Sequence, residues 1–281
     1  MRSRALAATA LAAAAITLTA CSSNTPAASP TTTPNSTTSS AQAISGTVTV
    51  LAAASLTGAF TTLGKQFEAA YPGTTVKLSF GASSSLAQQV NQGAPADVFA
   101  SASPTNMKQV TEAGGAIAPK NFVRNIMEIA VPPSNPAKVA GVADLARPGV
   151  KVALCQPQVP CGAVAAQVFK NAGITVTPVT LEQDVKSTLT KVELNEVDAG
   201  MVYATDVEAG GAKVLGVQIR PEINASTEYP IAALSKAPNP AGAQAFVEYV
   251  LSPAGQDVLG AAGFARPCVP AGRYVPVAHR P

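Results

Sequence analysis

Tryptophan is absent from this chain of 281 residues, and aromatic residues make up only 5% of it. Histidine occurs once, at His279, among the last three residues. A chain this poor in histidine offers little to His-dependent acid–base catalysis or to a His-ligated metal. There is no GxSxG elbow, no Ser-x-x-Lys pair, no P-loop and no GxGxxG, so the usual signatures of hydrolases and nucleotide binders are missing. Charge is scarce too, at 12%, with a formal net charge of +3. Setting aside Arg2 and Arg4 leaves about +1. Without a basic run, nucleic acid is a poor partner. What is abundant is apolar material, 47% of the chain. Alanine and valine supply most of it, which suits close-packed α/β layers, and the length is comfortable for two lobes.

Residues 1–20 read as a secretory signal peptide. Arg2 and Arg4 form a short basic start, and Ala5–Thr19 is an apolar stretch too short for a confident membrane span. The leader ends Leu18-Thr19-Ala20-Cys21, which resembles the bacterial lipobox, in which the cysteine becomes the lipidated first residue of the mature protein. Residues 21–45 then form the lipidated Cys21 and a tether. Ser22–Ala43 is mostly Ser, Thr, Pro and Ala without charge, and it cannot bury enough surface to offset its ordering entropy. A flexible coil of this length spans on the order of 26 Å, enough to hold a folded domain off the outer face of a membrane. Export also implies an oxidising compartment.

The globular part alternates strand-like and helix-like runs. Thr47–Leu51 reads as a buried strand, followed by a helix whose Phe60, Leu63 and Phe67 share one face. Val76–Phe80, Val98–Ala100, Phe122–Val131, Val150–Cys155, Ile174–Val179, Asp198–Tyr203, Val214–Ile219 and Tyr229–Leu234 are further strand candidates. Leu86–Gln92, Pro104–Ala113, Ala163–Asn171, Glu182–Asn195, Ala241–Leu251 and a run from Val258 are helix candidates, with Thr180 and Gln183 at capping-box spacing. Asp97, beside Pro95 at a strand entrance, reads as a local cap or pair rather than a catalytic acid. Alternation of this kind implies an α/β fold with mainly parallel sheets.

Several strand-to-helix handovers carry hydrogen-bond donors. Ser55 follows small alanines. Ser83 opens the triplet Ser83-Ser84-Ser85. Cys161 and Gly162 follow Pro160, and Tyr203 closes a strand. Each has a plain structural alternative: Ser55 and Ser83 as helix caps, Tyr203 as a half-buried core residue. Open α/β sheets place ligands at such strand ends, and helix N-termini favour anions. These positions are divided between the two halves of the chain, as in a cleft between lobes. The set, with the N–H near Val185, contains no Arg, Lys or carboxylate. Neutral donors suit a fully ionised tetrahedral dianion, whereas an acceptor would select a protonated one. Ser55 or Ser83 as a nucleophile lacks a base within reach, so the chain is not expected to be an enzyme. A structural lipoprotein with no ligand remains the other alternative. Cys155 and Cys161 lie six apart around a Pro-containing loop. One disulfide can close that span, and it is the expectation, with a reactive thiol or a metal site as alternatives. Cys268 would then be unpaired.

VTVLAAASLTGAF (Val48–Phe60), FGASSSLAQQVNQGAPADVFASA (Phe80–Ala102), QVPCG (Gln158–Gly162), EQDVKSTLTKVELNEVDAGMVYATD (Glu182–Asp206) and EYPIA (Glu228–Ala232) resemble, in this order, the periplasmic molybdate-binding proteins of ABC importers. The similarity runs from Thr47 to about Phe264. It implies the type II solute-binding fold, two α/β lobes closing on a ligand cleft, with crossovers near Arg124–Asn125 and Glu228–Pro230. Lobe 1 would comprise residues 46–124 plus 230–281, and lobe 2 residues 125–229. The resemblance implies a monomeric receptor for molybdate and tungstate that delivers its anion to a membrane permease. A same-fold receptor for sulfate or another oxyanion is the alternative. It places the anion ligands on the hydroxyl and N–H of Ser55 and Ser83, the N–H of Cys161 and Val185, and the hydroxyl of Tyr203. No cofactor is implied, and molybdenum enters only inside the bound oxyanion. Cys161 stands where the family often has alanine. A backbone donor tolerates that change, while a bond to Cys155 would alter the loop.

Overall fold

The computed structural model describes residues 44–267. The leader, Cys21, the tether as far as Ala43, Cys268 and His279 lie outside those residues. In chain order the elements are β1 (Gly46–Ala53), a 3-10 turn (Ala54–Leu56), α1 (Thr57–Ala70), β2 (Thr74–Gly81), α2 (Ser83–Asn91), β3 (Val98–Ala100), α3 (Pro104–Glu112), β4 (Lys120–Val131), a 3-10 turn (Val142–Ala146), β5 (Val152–Cys155), α4 (Pro160–Ala172), β6 (Thr180–Glu182), α5 (Val185–Glu193), β7 (Ala199–Tyr203), α6 (Ala204–Gly210), a 3-10 turn (Gly211–Lys213), β8 (Leu215–Val217), β9 (Ser226–Ala233), α7 (Pro240–Leu251) and α8 (Pro253–Ala261).

The strands run in the order β2-β1-β3-β9-β4-β7-β5-β6, with β8 on β4. Two parallel blocks make up the ends: β2, β1 and β3 on one side, β7, β5 and β6 on the other. Among the named strands, antiparallel pairing is confined to β3 with β9 and to the partners of β4. The long strand β4 joins the blocks. Its residues Lys120–Ile126 pair with β9, and Met127–Val131 pair with β7 and β8. Each block carries its own core. Val48, Val50, Phe60, Phe67 and Phe246 lie at the centre of one, and Ile129, Val152, Val168, Met201 and Val202 at the centre of the other. This is the α/β, two-lobed architecture, with a cleft where the lobes face each other.

Local chemistry explains the main elements. The apolar face of α1 comes from Phe60, Leu63 and Phe67, all fully buried. Phe67 meets Phe246 of α7 edge-on, ring centroids 5.2 Å apart, a favoured aromatic geometry. Helix α3 begins with Ser103 as cap and Pro104 in its first turn, and α4 ends at Gly173 in the left-handed region. Gly162 in α4 has no room for a side chain, because a Cβ there would strike the carbonyls of Cys155 and Gln156. That close approach lets α4 start directly over the end of β5.

Three expectations are corrected. Ile174–Val179 forms no strand; β6 begins at Thr180. Ile174 and Val176 do pack against the second core, which reproduces the alternation of a strand. Pro178 lacks the N–H that a ladder needs. Helix α5 starts at Val185, and its cap is Asp184, which accepts from Ser187 N–H at 2.8 Å. Thr180 instead donates to Glu182 at 2.6 Å. Asp97 does not act locally: it accepts from Thr49 N–H at 2.7 Å and from Asn239 N–H at 2.6 Å, so it clamps β1 to the start of α7.

Glu128 on β4 is half-buried beside Gly216 of β8, where any side chain would collide with its carboxylate. Burial first, and repulsion from Glu208 second, push its pKa from 4.5 up to about 7. The native state therefore holds a proton that the unfolded chain releases at lower pH. The associated stability is complete below about pH 4.5 and is lost as pH rises through about 7. Melting temperatures measured across that window should fall less steeply for Glu128→Gln than for the wild type; parallel curves would contradict this.

Candidate functional site

The lobes face each other across one small cavity lined by Ser55, Ser83, Cys161, Val185 and Tyr203, together with Ala53, Ala54, Gly81, Ala82, Ala102, Val159, Pro160 and Asp184. The positions singled out in the sequence, spread from residue 55 to residue 203, are thus brought together around one space. Ala54 and Ala82 reach across it and pack with the core of the opposite lobe. Small side chains at the strand ends let backbone amides approach the cavity directly.

Each donor is delivered by a strand-to-helix junction. Ser83 is the first residue of α2, whose ladder opens with Leu86 N–H donating to Ala82 carbonyl at 3.0 Å. The preceding amides have no acceptor within the helix. The Ser83 hydroxyl oxygen accepts from Ala102 N–H at 2.9 Å, which leaves its own hydrogen to donate elsewhere. Cys161 follows Pro160 in the first turn of α4, and the ladder there opens with Ala163 N–H donating to Val159 carbonyl at 3.0 Å. Cys155 and Cys161 form a disulfide with Cα atoms 5.8 Å apart. It fastens the first turn of α4 to the last residue of β5. Val185 opens α5 behind the Asp184 cap.

Tyr203 is fully buried, and its hydroxyl makes no hydrogen bond of ordinary geometry among the described residues. Burial first, and the neighbouring Tyr229 and Asp206 next, hold its phenol well above the usual tyrosine pKa. It is a neutral donor throughout the physiological range. The rings of Tyr203 and Tyr229 stand edge to face, 6.1 Å between centroids. Asp206, wholly buried, accepts from Tyr203 N–H at 3.2 Å and pairs with Lys186 at 3.0 Å. Burial raises the Asp206 pKa, and Lys186 opposes that rise.

Two features escaped the sequence reading. The cavity was expected to hold no carboxylate, yet Asp184 lines it. A helix N-cap must sit beside the first free amides, so the residue that caps α5 is necessarily near Val185. Its Oδ1 is already engaged by Ser187 N–H. The other feature is a buried polar chain. Ser55 Oγ lies 2.8 Å from the Tyr229 hydroxyl, which lies 3.4 Å from Asn125 Nδ2; the same amide donates to Thr205 at 2.7 Å. Nothing local in EYPIA or FVRNI marks Tyr229 or Asn125, because their partners are 80 to 174 residues away. Among the described residues, no group of three or more His, Cys, Asp or Glu could hold a metal ion.

A family model described as bacterial extracellular solute-binding protein matches residues 48–265. This chain belongs to that family. The molybdate-binding protein ModA of Mycobacterium tuberculosis (strain ATCC 25618 / H37Rv) is 41% identical over 251 residues, 89% of this chain and 93% of the relative. ModA of Escherichia coli (strain K12) is 31% identical over 231 residues, 78% of this chain and 89% of the relative. The solved periplasmic molybdate-binding protein of Azotobacter vinelandii matches the fold with a TM-score of 0.68 at 20% identity, covering 78% of this chain and 99% of that one. As a member of the solute-binding family the chain is a binding protein rather than an enzyme, and its solute is cargo rather than a cofactor. No helix among the described residues is long and apolar enough to cross a membrane.

An orphaned buried hydroxyl costs stability when nothing occupies the site. Tyr203→Phe should therefore leave the ligand-free protein unchanged or more stable by about 1–2 kcal/mol in urea denaturation. A loss of more than about 1 kcal/mol would mean that the hydroxyl already has a partner.

Proposed function

We propose that this chain is the receptor of a molybdate importer: it captures molybdate, and tungstate with it, between its lobes and delivers the anion to a membrane permease. The observation that carries the reading is the convergence of uncharged donors on one cavity, in a chain that shares 41% identity with a molybdate-binding protein. The hydroxyls and amides of Ser55 and Ser83, the amides of Cys161 and Val185, and the Tyr203 hydroxyl would each meet an oxygen of the anion. Three helix N-termini add their positive ends. The lobes would be residues 46–124 plus 230–267 and residues 125–229, turning about β4 and β9. The Cys21 lipid and the tether would hold the receptor at the outer face of the cell membrane, as a monomer.

Molybdate and tungstate share charge and nearly share size, so donors alone should separate them little. Sulfate is smaller, and a close-packed wall does not contract onto it. Asp184 favours a second reading, a receptor for a protonated oxyanion such as hydrogen phosphate, since a carboxylate accepts the hydrogen that such an anion carries. Its engagement with Ser187 N–H counts against this.

Calorimetric titration with molybdate, tungstate, sulfate and phosphate separates the readings. Molybdate and tungstate should bind tightly and alike, with sulfate and phosphate far weaker. Sulfate or phosphate equal to molybdate would overturn the assignment. Ser83→Ala should weaken molybdate binding by about 1.5–3 kcal/mol, the usual worth of a hydrogen bond to a charged group. Unchanged affinity would remove Ser83 from the site.

A further inference from the structure

We propose that Asn125 and Tyr229 form a one-way hydrogen-bond relay that fixes the Ser55 hydroxyl as a donor into the cavity, making Tyr229 the positioning residue that selects a fully deprotonated oxyanion over a protonated one. This rests on the reading of the cavity as an oxyanion site.

The direction of the relay follows from Asn125, which is buried in β4 where that strand passes between the lobes. Ile126 N–H donates to Asn125 Oδ1 at 3.1 Å. An N–H can only donate, so the amide oxygen must occupy that side and Nδ2 the other. Nδ2 has two hydrogens and no acceptor capacity. One goes to Thr205 Oγ1 at 2.7 Å and the other to the Tyr229 oxygen at 3.4 Å. The Tyr229 oxygen is therefore an acceptor toward Asn125; either hydroxyl could donate across the 2.8 Å contact with Ser55 Oγ, and the relay takes Tyr229 as the donor. Burial above all keeps that phenol protonated far above neutral pH, so the hydrogen is always present. Ser55 Oγ, having accepted, has one hydrogen of its own. It points away from Tyr229, and Ser55 lines the cavity.

A lone serine rotates freely and meets either a bare or a protonated oxygen. A serine held by this relay does not. With one lone pair already occupied, it favours donating to a bare oxygen over accepting from a protonated one, a bias that acts against the wrong anion. Ser83 is held similarly by Ala102 N–H, so both hydroxyls of the first lobe point the same way. The Tyr229 ring packs against Phe122, Tyr203 and Phe264, contacts that phenylalanine would keep.

The test is calorimetry on the full chain, titrating molybdate and inorganic phosphate into wild type, Tyr229→Phe, Ser55→Ala and the double variant. Tyr229→Phe should weaken molybdate a few-fold, because the released Ser55 hydroxyl must be oriented before it donates, and should narrow the molybdate-to-phosphate ratio, because that hydroxyl can also turn to accept. In the Ser55→Ala background the same change should alter neither anion. Asn125→Ala removes the head of the relay from another strand and should narrow the same ratio, which keeps the proposal testable if Tyr229→Phe fails to fold. Equal losses for both anions, or an undiminished loss in the Ser55→Ala background, would make Tyr229 a packing residue and overturn the relay. Molybdate binding by the wild type with Tyr229→Phe unchanged overturns the relay alone; no molybdate binding by the wild type overturns the site reading with it.

Discussion

A helix leaves its first amides without acceptors, and water normally satisfies them. Here α2, α4 and α5 begin at the wall of one cavity, so their free amides converge where a dissolved anion can replace the water. Much of the rest of the molecule serves that convergence. The parallel blocks aim strand ends at the cleft. Alanines at the ends of β1 and β2 keep side chains from blocking it. Gly162 and the Cys155–Cys161 disulfide set α4 close over β5. Asp97 ties β1 to α7 and so fixes the strand that leads to Ser55.

The polarity of the site is one-sided. Both serine oxygens have partners behind them: Ser83 accepts from Ala102 N–H, and Ser55 Oγ lies 2.8 Å from the Tyr229 hydroxyl. Tyr203 has a hydroxyl with no hydrogen bond of ordinary geometry among the described residues, beside Tyr229, and a pKa raised by burial. Such groups offer hydrogens and accept little. The charged groups nearby are engaged elsewhere: Asp184 with Ser187, and Asp206 with Lys186 and the Tyr203 amide. A dianion entering this space meets donors without a full positive charge. Its strength of binding would then come from geometry and low local dielectric rather than from ion pairing.

Much of this was legible in the residues. The strand-to-helix handovers at Ser83 and Pro160 carry local signals, a serine run and a proline, although α2 and α4 begin on those residues themselves and not at Leu86 and Ala163 as expected. Residues 174–179 misled because burial alternates along them while Pro178 prevents a ladder. The start of α5 was misplaced because Thr180 and Gln183 have capping-box spacing, although Asp184 is the residue that satisfies the helix. Asp97, Asn125 and Tyr229 could not be read locally, since their partners lie far along the chain. Local chemistry thus marks where donors arise; which groups stand behind them is decided only by tertiary packing.

The central claim is that uncharged donors hold a fully ionised oxyanion with no compensating proton. Calorimetry of molybdate binding near neutral pH, repeated in buffers of different ionisation enthalpy, counts the protons exchanged on binding. The account predicts a binding enthalpy independent of buffer, and therefore no net proton uptake. An uptake approaching one proton per anion would show that the bound anion or a group facing it carries a proton, and would contradict it.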